Sequence, residues 1–222
     1  MAKKLNKSVK KVFVVGYSKN YANFIDNFKL VDNIEEADIV IFTGGEDVCP
    51  SLYNEEALKT TYYNIDRDMA EKAVFEKCTD KQLVIGICRG SQFLCVMNGG
   101  KLIQDVSGHA IGHTHEIKSF YTDAVYSITS THHQMQYPYN LNPNDYDLLY
   151  TSDILSSYYF GGGIDEREVC FHGEPEIVLY HKSSLPKCLA IQGHPEYMRK
   201  DAPVIAMLNE LIDNLLSEIK NN

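Results

Sequence analysis

Three stretches, Lys11-Val-Phe-Val-Val-Gly16, Asp38-Ile-Val-Ile-Phe-Thr43 and Leu83-Val-Ile-Gly-Ile-Cys88, are unbroken apolar runs rich in β-branched residues. A strand with one wet face alternates apolar and polar residues. A continuous run must be covered on both faces, as parallel strands inside an α/β sheet are. The first run ends at Gly16, the second is stopped by Gly44-Gly45, and Gly90 lies just past the third. Helical patterns separate them. Asp66 to Cys78 places Met69, Ala70, Ala73 and Val74 at helical spacing with charges on the other side, and Gly90 to Met97 reads as a short apolar helix. Alternation of strand and helix predicts an α/β fold.

The second half is less regular. Short stretches between Glu116 and Gln136, such as Ala124 to Ser130, read as strands of antiparallel type. Residues 137–175 are expected to form a partly irregular insertion, rich in Tyr, Asn, Ser and Pro at first and containing Gly161-Gly162-Gly163. Ile177 to Tyr180 and Cys188 to Gln192 read as late strands. Asp201 is expected to cap the last helix with Pro203 in its first turn. Val204, Met207, Leu208, Leu211, Ile212, Leu215 and Leu216 then mark its core face.

A chain of 222 residues suits one domain, 1–222, with a full sheet-and-helix core. Its formal charge of −9 disfavours unspecific attraction to nucleic acid or anionic lipid. The basic start, Met1 to Lys11, is followed by an apolar run of only Val12 to Val15, too short for a signal-peptide core or a membrane span. A cytoplasmic location is expected. Six cysteines without a Cys-x-x-Cys pair fit reduced thiols better than a disulfide framework.

One of these thiols, Cys88, lies at the end of an apolar strand between Gly86 and Gly90. That is the spacing of a nucleophile elbow, where flanking glycines let the chain turn sharply from strand to helix. The following helix would aim its N-terminus at the sulfur and favour the thiolate. The Arg89 amide would be free to bind an oxyanion. Packing as a buried strand cysteine is the competing reading. A base is available in Gly193-His194-Pro195-Glu196, directly after the last strand. In an extended chain His194 and Glu196 face the same way, so the carboxylate can hold the imidazole while its other nitrogen meets Cys88. A surface turn is the alternative there. Thr43-Gly44-Gly45-Glu46-Asp47 follows the second strand and offers backbone N–H groups to a ligand, although a plain turn accounts for it as well.

Together these segments resemble class I glutamine amidotransferases, and most closely their γ-glutamyl hydrolase-like (γ-glutamyl-GABA hydrolase-like) branch. The further matching pieces are Val48 to Tyr53, Arg67-Asp68-x-x-Glu71, Ser91-Gln92, Gly99 to Asp105 and Ser130-Thr131-His132-His133-Gln134. The resemblance covers roughly residues 10 to 200. It implies a three-layer sandwich with a mostly parallel central sheet, the flavodoxin-like fold of that superfamily. It implies a catalytic triad of Cys88, His194 and Glu196, and an oxyanion hole from the amides of Gly45 and Arg89. It also implies substrate contacts from Gln92, Ser130, His132, His133 and Gln134. The substrate would be glutamine or a γ-glutamyl amide, cleaved through a γ-glutamyl thioester without a cofactor. Thr129 departs from the Asn usual in that branch, and the Asp-Gly pair common before the penultimate strand is missing.

Three functions fit these residues: a glutaminase feeding ammonia to a separate synthase, a stand-alone hydrolase of γ-glutamyl amides or peptides, or a silent binding module. A chain of this length leaves no room for a fused synthase domain. Histidines 109, 113, 115, 132 and 133 raise the question of a metal, with His109 and His113 four apart and His113 and His115 able to share a strand face. The glycines around them argue against a rigid helix, and the resembled family has histidines here without a metal. None is expected. The Tyr-rich stretch Tyr137-Pro-Tyr139 lacks interleaved basic residues and reads as loop packing, not nucleic-acid stacking.

Overall fold

The computed structural model describes residues 8–16 and 18–221; most of the basic start, Met1 to Lys7, lies outside them. The first half of the chain contains β1 (Lys10–Val15), β2 (Phe28–Leu30), β3 (Ile39–Phe42), α1 (Ile65–Phe75), β4 (Leu83–Ile87), α2 (Arg89–Met97), β5 (Lys101–Ile103) and β6 (Asp105–Val106). The second contains β7 (His113–Ser119), β8 (Val125–Ser130), β9 (Met135–Tyr137), β10 (Tyr146–Ser152), β11 (Tyr159–Phe160), α3 (Glu166–His172), β12 (Pro175–Tyr180), β13 (Cys188–Ile191) and α4 (Pro203–Asn221).

Nine strands form one mixed sheet in the order β2-β1-β3-β4-β13-β12-β10-β7-β8. It is parallel from β2 through β13 and antiparallel from β13 to β8. Two small ribbons, β5 with β9 and β6 with β11, lie outside it. The three unbroken apolar runs are β1, β3 and β4, and the reason for their continuity is visible in the packing. Ile39, Ile41, Leu83, Ile85 and Ile87 share a core with Val204, Leu208, Ile212 and Leu215 of α4. The residues between them, Val40, Phe42 and Val84, pack on the opposite face with Phe75 of α1 and Phe93 and Leu94 of α2. The result is a sheet with helices on both faces.

Two local expectations change. Asp201 pairs with Arg199 at 2.7 Å, and α4 starts at Pro203, where a missing N–H costs nothing. In α1 the buried positions are Asp68, Glu71 and Phe75, whereas Met69 is 49% exposed. Met69, Ala70 and Ala73 therefore face out, Val74 packs at the edge of the core, and two carboxylates face in, because a buried arginine waits for them. Residues 137–175 also hold more order than expected: β10 joins the central sheet between β12 and β7, and α3 is capped by the Asp165 side chain accepting from the Arg167 N–H.

Register fixes where the strand ends emerge. Ile191 of β13 lies opposite Ile87 of β4, and Gly86 lies opposite Phe42 of β3. The segments after β3, β4 and β13 consequently leave the same edge of the sheet side by side, at the carboxyl ends of parallel strands where α/β sheets bind ligands.

Candidate active site

Cys88 occupies the turn between β4 and α2 with φ 54° and ψ −115°, a conformation side chains rarely adopt. Its N–H donates to the Ile191 carbonyl at 2.9 Å, tying the turn to β13. A side chain at Gly86 would collide with the backbone of Gly90, and one at Gly90 with the Phe42 carbonyl. Both glycines are thus required by close approach, and the elbow forms. α2 begins at Arg89, directly after Cys88, and the Ser91 and Gln92 amides close its first turn on the Cys88 carbonyl at 2.9 and 3.3 Å.

His194 is the third residue beyond Ile191, the last of the neighbouring strand β13. Its Nδ1 lies 2.7 Å from Glu196 Oε1, and both side chains are nearly buried. Burial lowers the imidazole pKa, but hydrogen bonds to Cys88 and Glu196 and their charges outweigh it and push the value up to about 10. Thr129 fixes the histidine backbone: its hydroxyl accepts from the His194 N–H at 2.8 Å and reaches the His194 carbonyl at 3.2 Å. This is what the threonine in place of asparagine does here. Tyr197 stacks on the imidazole, with centroids 4.7 Å apart and planes 10° from parallel. Tyr21 also lies against the histidine, its ring centroid 6.2 Å from that of His194 and tilted by 46°. Burial first, then the charges of Glu196, Tyr197 and Cys88, push the Tyr21 pKa up to about 12.

The loop after β3 supplies the facing wall. Gly45 has φ +144°, and a Cβ there would strike the Arg67 guanidinium. Arg67 holds this loop, donating to the Gly44 carbonyl at 2.9 Å and to Glu46 at 2.6 Å while its Nε binds Glu71 at 2.8 Å. Glu71 and Asp68 also bind the guanidinium of Arg89, which is 1% exposed. The Arg67-Asp68-x-x-Glu71 segment therefore secures both the loop holding Gly45 and the turn holding Arg89. Sequence reasoning finds that segment without finding its task, since a charge cluster on a helix ordinarily faces water.

Gly45, Glu46, Asp47, Tyr62, Cys88, Arg89, Gln92 and residues 131–134 line a cavity of ≈ 180 Å³. Gln92 Nε2 donates to the Gln134 carbonyl at 2.9 Å. His133 is half-exposed at the rim, with Nε2 3.1 Å from Asp47, and that hydrogen bond raises the imidazole pKa. The His132 ring turns inward, with Nδ1 donating to the Gln134 carbonyl at 2.8 Å. Ser130 lies behind the wall and not on it: its hydroxyl donates to the His109 carbonyl at 2.7 Å. Tyr21 and Tyr62 were not legible as site residues, because only the fold brings them to this edge.

The Peptidase C26 family profile matches residues 22–141. The glutamine amidotransferase-like protein YvdE of Lactococcus lactis is 28% identical over 189 residues, 80% of this chain and 69% of that protein. Protein NtpR of Enterococcus hirae is 37% identical over 76 residues, 33% of this chain and 32% of its own length. Among solved structures, one named as a GMP synthase component of Thermoplasma acidophilum superposes with TM-score 0.61 at 13% identity, covering 97% of this chain and 98% of that one. A glutamine amidotransferase of Thermotoga maritima gives TM-score 0.52 at 13% identity, covering 96% and 97%. At such identities the likeness is one of fold: the flavodoxin-like sheet of the class I amidotransferases.

Proposed function

Since the chain belongs to the Peptidase C26 family, within the class I glutamine amidotransferase superfamily, we propose that Cys88 attacks a γ-glutamyl carbonyl and that the protein hydrolyses the C–N bond. The observation that carries this reading is the His194–Glu196 hydrogen bond of 2.7 Å beside a thiol on a strained elbow. Cys88 and His194 form a thiolate–imidazolium pair. The sulfur adds to the amide carbon, and the oxyanion is received by the amides of Arg89 and Gly45. His194 gives its proton to the departing nitrogen, the C–N bond breaks, and ammonia or an amine leaves a γ-glutamyl thioester. Water, deprotonated by His194, attacks the thioester. Glutamate is released and the proton returns to the pair. Glu196 keeps the imidazole in one orientation throughout.

A cavity of ≈ 180 Å³ is below the roughly 300–1,000 Å³ typical of drug-sized ligands, and it suits one amino-acid side chain. Gln92, His133 and Gln134 are the proposed contacts to the glutamyl group. Glutamine is the first candidate substrate, with ammonia passing to a separate synthase. A γ-glutamyl amine is the second, favoured by Tyr62, which is 73% exposed at the rim and could receive an amine's apolar tail.

Wild-type protein should be labelled on Cys88 by a diazoketone analogue of glutamine and release glutamate from glutamine or a γ-glutamyl amine. Cys88→Ala should do neither, and labelling that persists in this variant would refute the assignment. His194→Ala should slow acylation by about 10² to 10⁴, the usual contribution of a positioned base. Release from γ-glutamyl amines but not from glutamine would replace the first substrate by the second.

A further inference from the structure

Behind the wall formed by residues 131–134 lies a cluster that the proposed chemistry does not use. His109 precedes β7, His115 lies on it, His132 follows β8, and Glu176 is on β12. All are nearly or wholly buried: His109 0%, His115 7%, His132 3% and Glu176 1% exposed. Three ring nitrogens surround one carboxylate oxygen. Glu176 Oε1 is 3.2 Å from His115 Nε2, 3.7 Å from His109 Nδ1 and 3.8 Å from His132 Nε2. One donor atom from each of His109, His115 and Glu176 falls within 4.8 Å of the others.

The far side of each ring is already engaged. His132 Nδ1 must carry a proton, because its partner at 2.8 Å is the Gln134 carbonyl, which only accepts. His109 Nε2 lies 2.6 Å from Glu174 Oε2, and the other Glu174 oxygen accepts from the Ser156 N–H and the Tyr159 hydroxyl, both at 2.6 Å. His115 Nδ1 is 3.1 Å from the Ser152 hydroxyl. With the outer nitrogens engaged in this way, the inner nitrogen of each ring is turned toward Glu176. Metal-binding histidines are held in this way, by an outer hydrogen bond to an oxygen. The Ser130 hydroxyl, which donates its only proton to the His109 carbonyl, has none left for His109 Nδ1.

The inner side, by contrast, is unsatisfied. His115 Nε2, His132 Nε2 and both oxygens of Glu176 are buried without an aligned hydrogen-bond partner. A buried ionised carboxylate left so costs several kcal/mol unless a cation compensates it. Glu174 and Glu176 together carry two negative charges, which one divalent ion balances. Donors bound at about 2.0–2.1 Å around tetrahedral zinc stand about 3.3 Å apart, close to the nitrogen–oxygen separations here. Imidazole-rich donors exclude magnesium and calcium as the preferred ions.

We propose that His109, His115 and Glu176 form a buried site for a divalent cation of the zinc class, with His132 beside it, its Nε2 3.8 Å from the carboxylate. None of the three donors lines the cavity that holds Cys88, so the ion's task is structural. It joins β7 and the segment before it to β12, next to His132 of the segment that walls the substrate cavity. His113 has no part in it, since its ring faces solvent and bonds the Ile111 carbonyl. The resembled family's histidines led to the expectation of no metal; the convergence on Glu176, far away in sequence, is what changes it.

The test uses the full chain, stripped with a chelator and titrated with Co²⁺ alone, then with Zn²⁺ in competition. One equivalent of Co²⁺ should bind with the intense visible spectrum of a four-coordinate ion, Zn²⁺ should displace it, and either ion should raise the melting temperature. Glu176→Gln should abolish that spectrum. Glu174→Gln, which keeps all three donors, should weaken binding by about 10- to 100-fold, as loss of an outer hydrogen-bond partner does. Wild-type protein that binds no equivalent of Co²⁺, or a spectrum unchanged in Glu176→Gln, would overturn the site and leave an ion-pair network only. Labelling of Cys88 by the diazoketone is read separately, so failure here leaves the proposed chemistry standing.

Discussion

The strain at Cys88 belongs to the backbone and can be separated from the chemistry of the thiol. Alanine at this position would remove the sulfur but keep a Cβ at φ 54°. Glycine would remove both. A side chain in such a sparsely populated region costs about 1–3 kcal/mol, while the greater freedom of glycine in the unfolded chain costs about 0.5–1 kcal/mol. The first outweighs the second. Cys88→Gly should therefore be more stable than Cys88→Ala by about 1 kcal/mol in urea denaturation, although neither should be labelled. Equal midpoints would mean that the elbow stores no strain. The residue itself was legible, because Gly86, Cys88 and Gly90 are adjacent in the chain and the steric demand is local. His194 and Glu196 were legible for the same reason. Tyr21, which packs beside that histidine, is far from it in the chain and carries no local mark, and Thr129 stood out only as a departure from asparagine, with nothing to tell that it bonds the His194 backbone.

Among the elements, α1 shows where pattern reading fails. Hydrophobic periodicity assigns the inward face by counting apolar residues, and it selects Met69, Ala70, Ala73 and Val74. The fold instead buries Asp68 and Glu71 because they neutralise Arg89, itself buried by the turn that follows Cys88. Charge pairing across elements overrides periodicity within one, and a single sequence does not display the pairing. The consequence is measurable. Asp68→Ala leaves a buried guanidinium short of a partner and should cost about 3–5 kcal/mol, whereas Met69→Ala, on the exposed face, should stay within about 0.5 kcal/mol. Asp68→Ala should also slow diazoketone labelling, since Arg89, whose amide is proposed to receive the oxyanion, would no longer be held in place. If Met69→Ala proves the more damaging, the orientation of α1 is wrong.

At the scale of the whole molecule, the parallel half was readable, and in the antiparallel half β8 and β12 were read as strands whereas β10 was not. β1, β3 and β4 are covered on both faces, so their sequences are continuous and apolar. β10 buries only Leu148 and Ser152 fully and mixes Tyr, Asp and Thr among them, leaving no period to detect. β7 hides its pattern differently, placing His115 with Ile117 on the buried side. The two halves meet at β13, whose end delivers His194, so the charge state of that residue couples the site to global stability. Its folded pKa of about 10 stands above the value of about 6.5 expected when unfolded. The folded state binds the extra proton, so this stabilisation is fully present below about pH 6.5 and is lost as pH rises through about 10. Glu196→Gln removes one of the two groups that raise the pKa. The stability difference between wild type and Glu196→Gln should accordingly be largest near about pH 6 and shrink above about pH 10, as read from urea midpoints across that range. A difference that grows with pH would have the wrong sign for a protonated His194, and the imidazolium–thiolate pair proposed for the resting site would go with it.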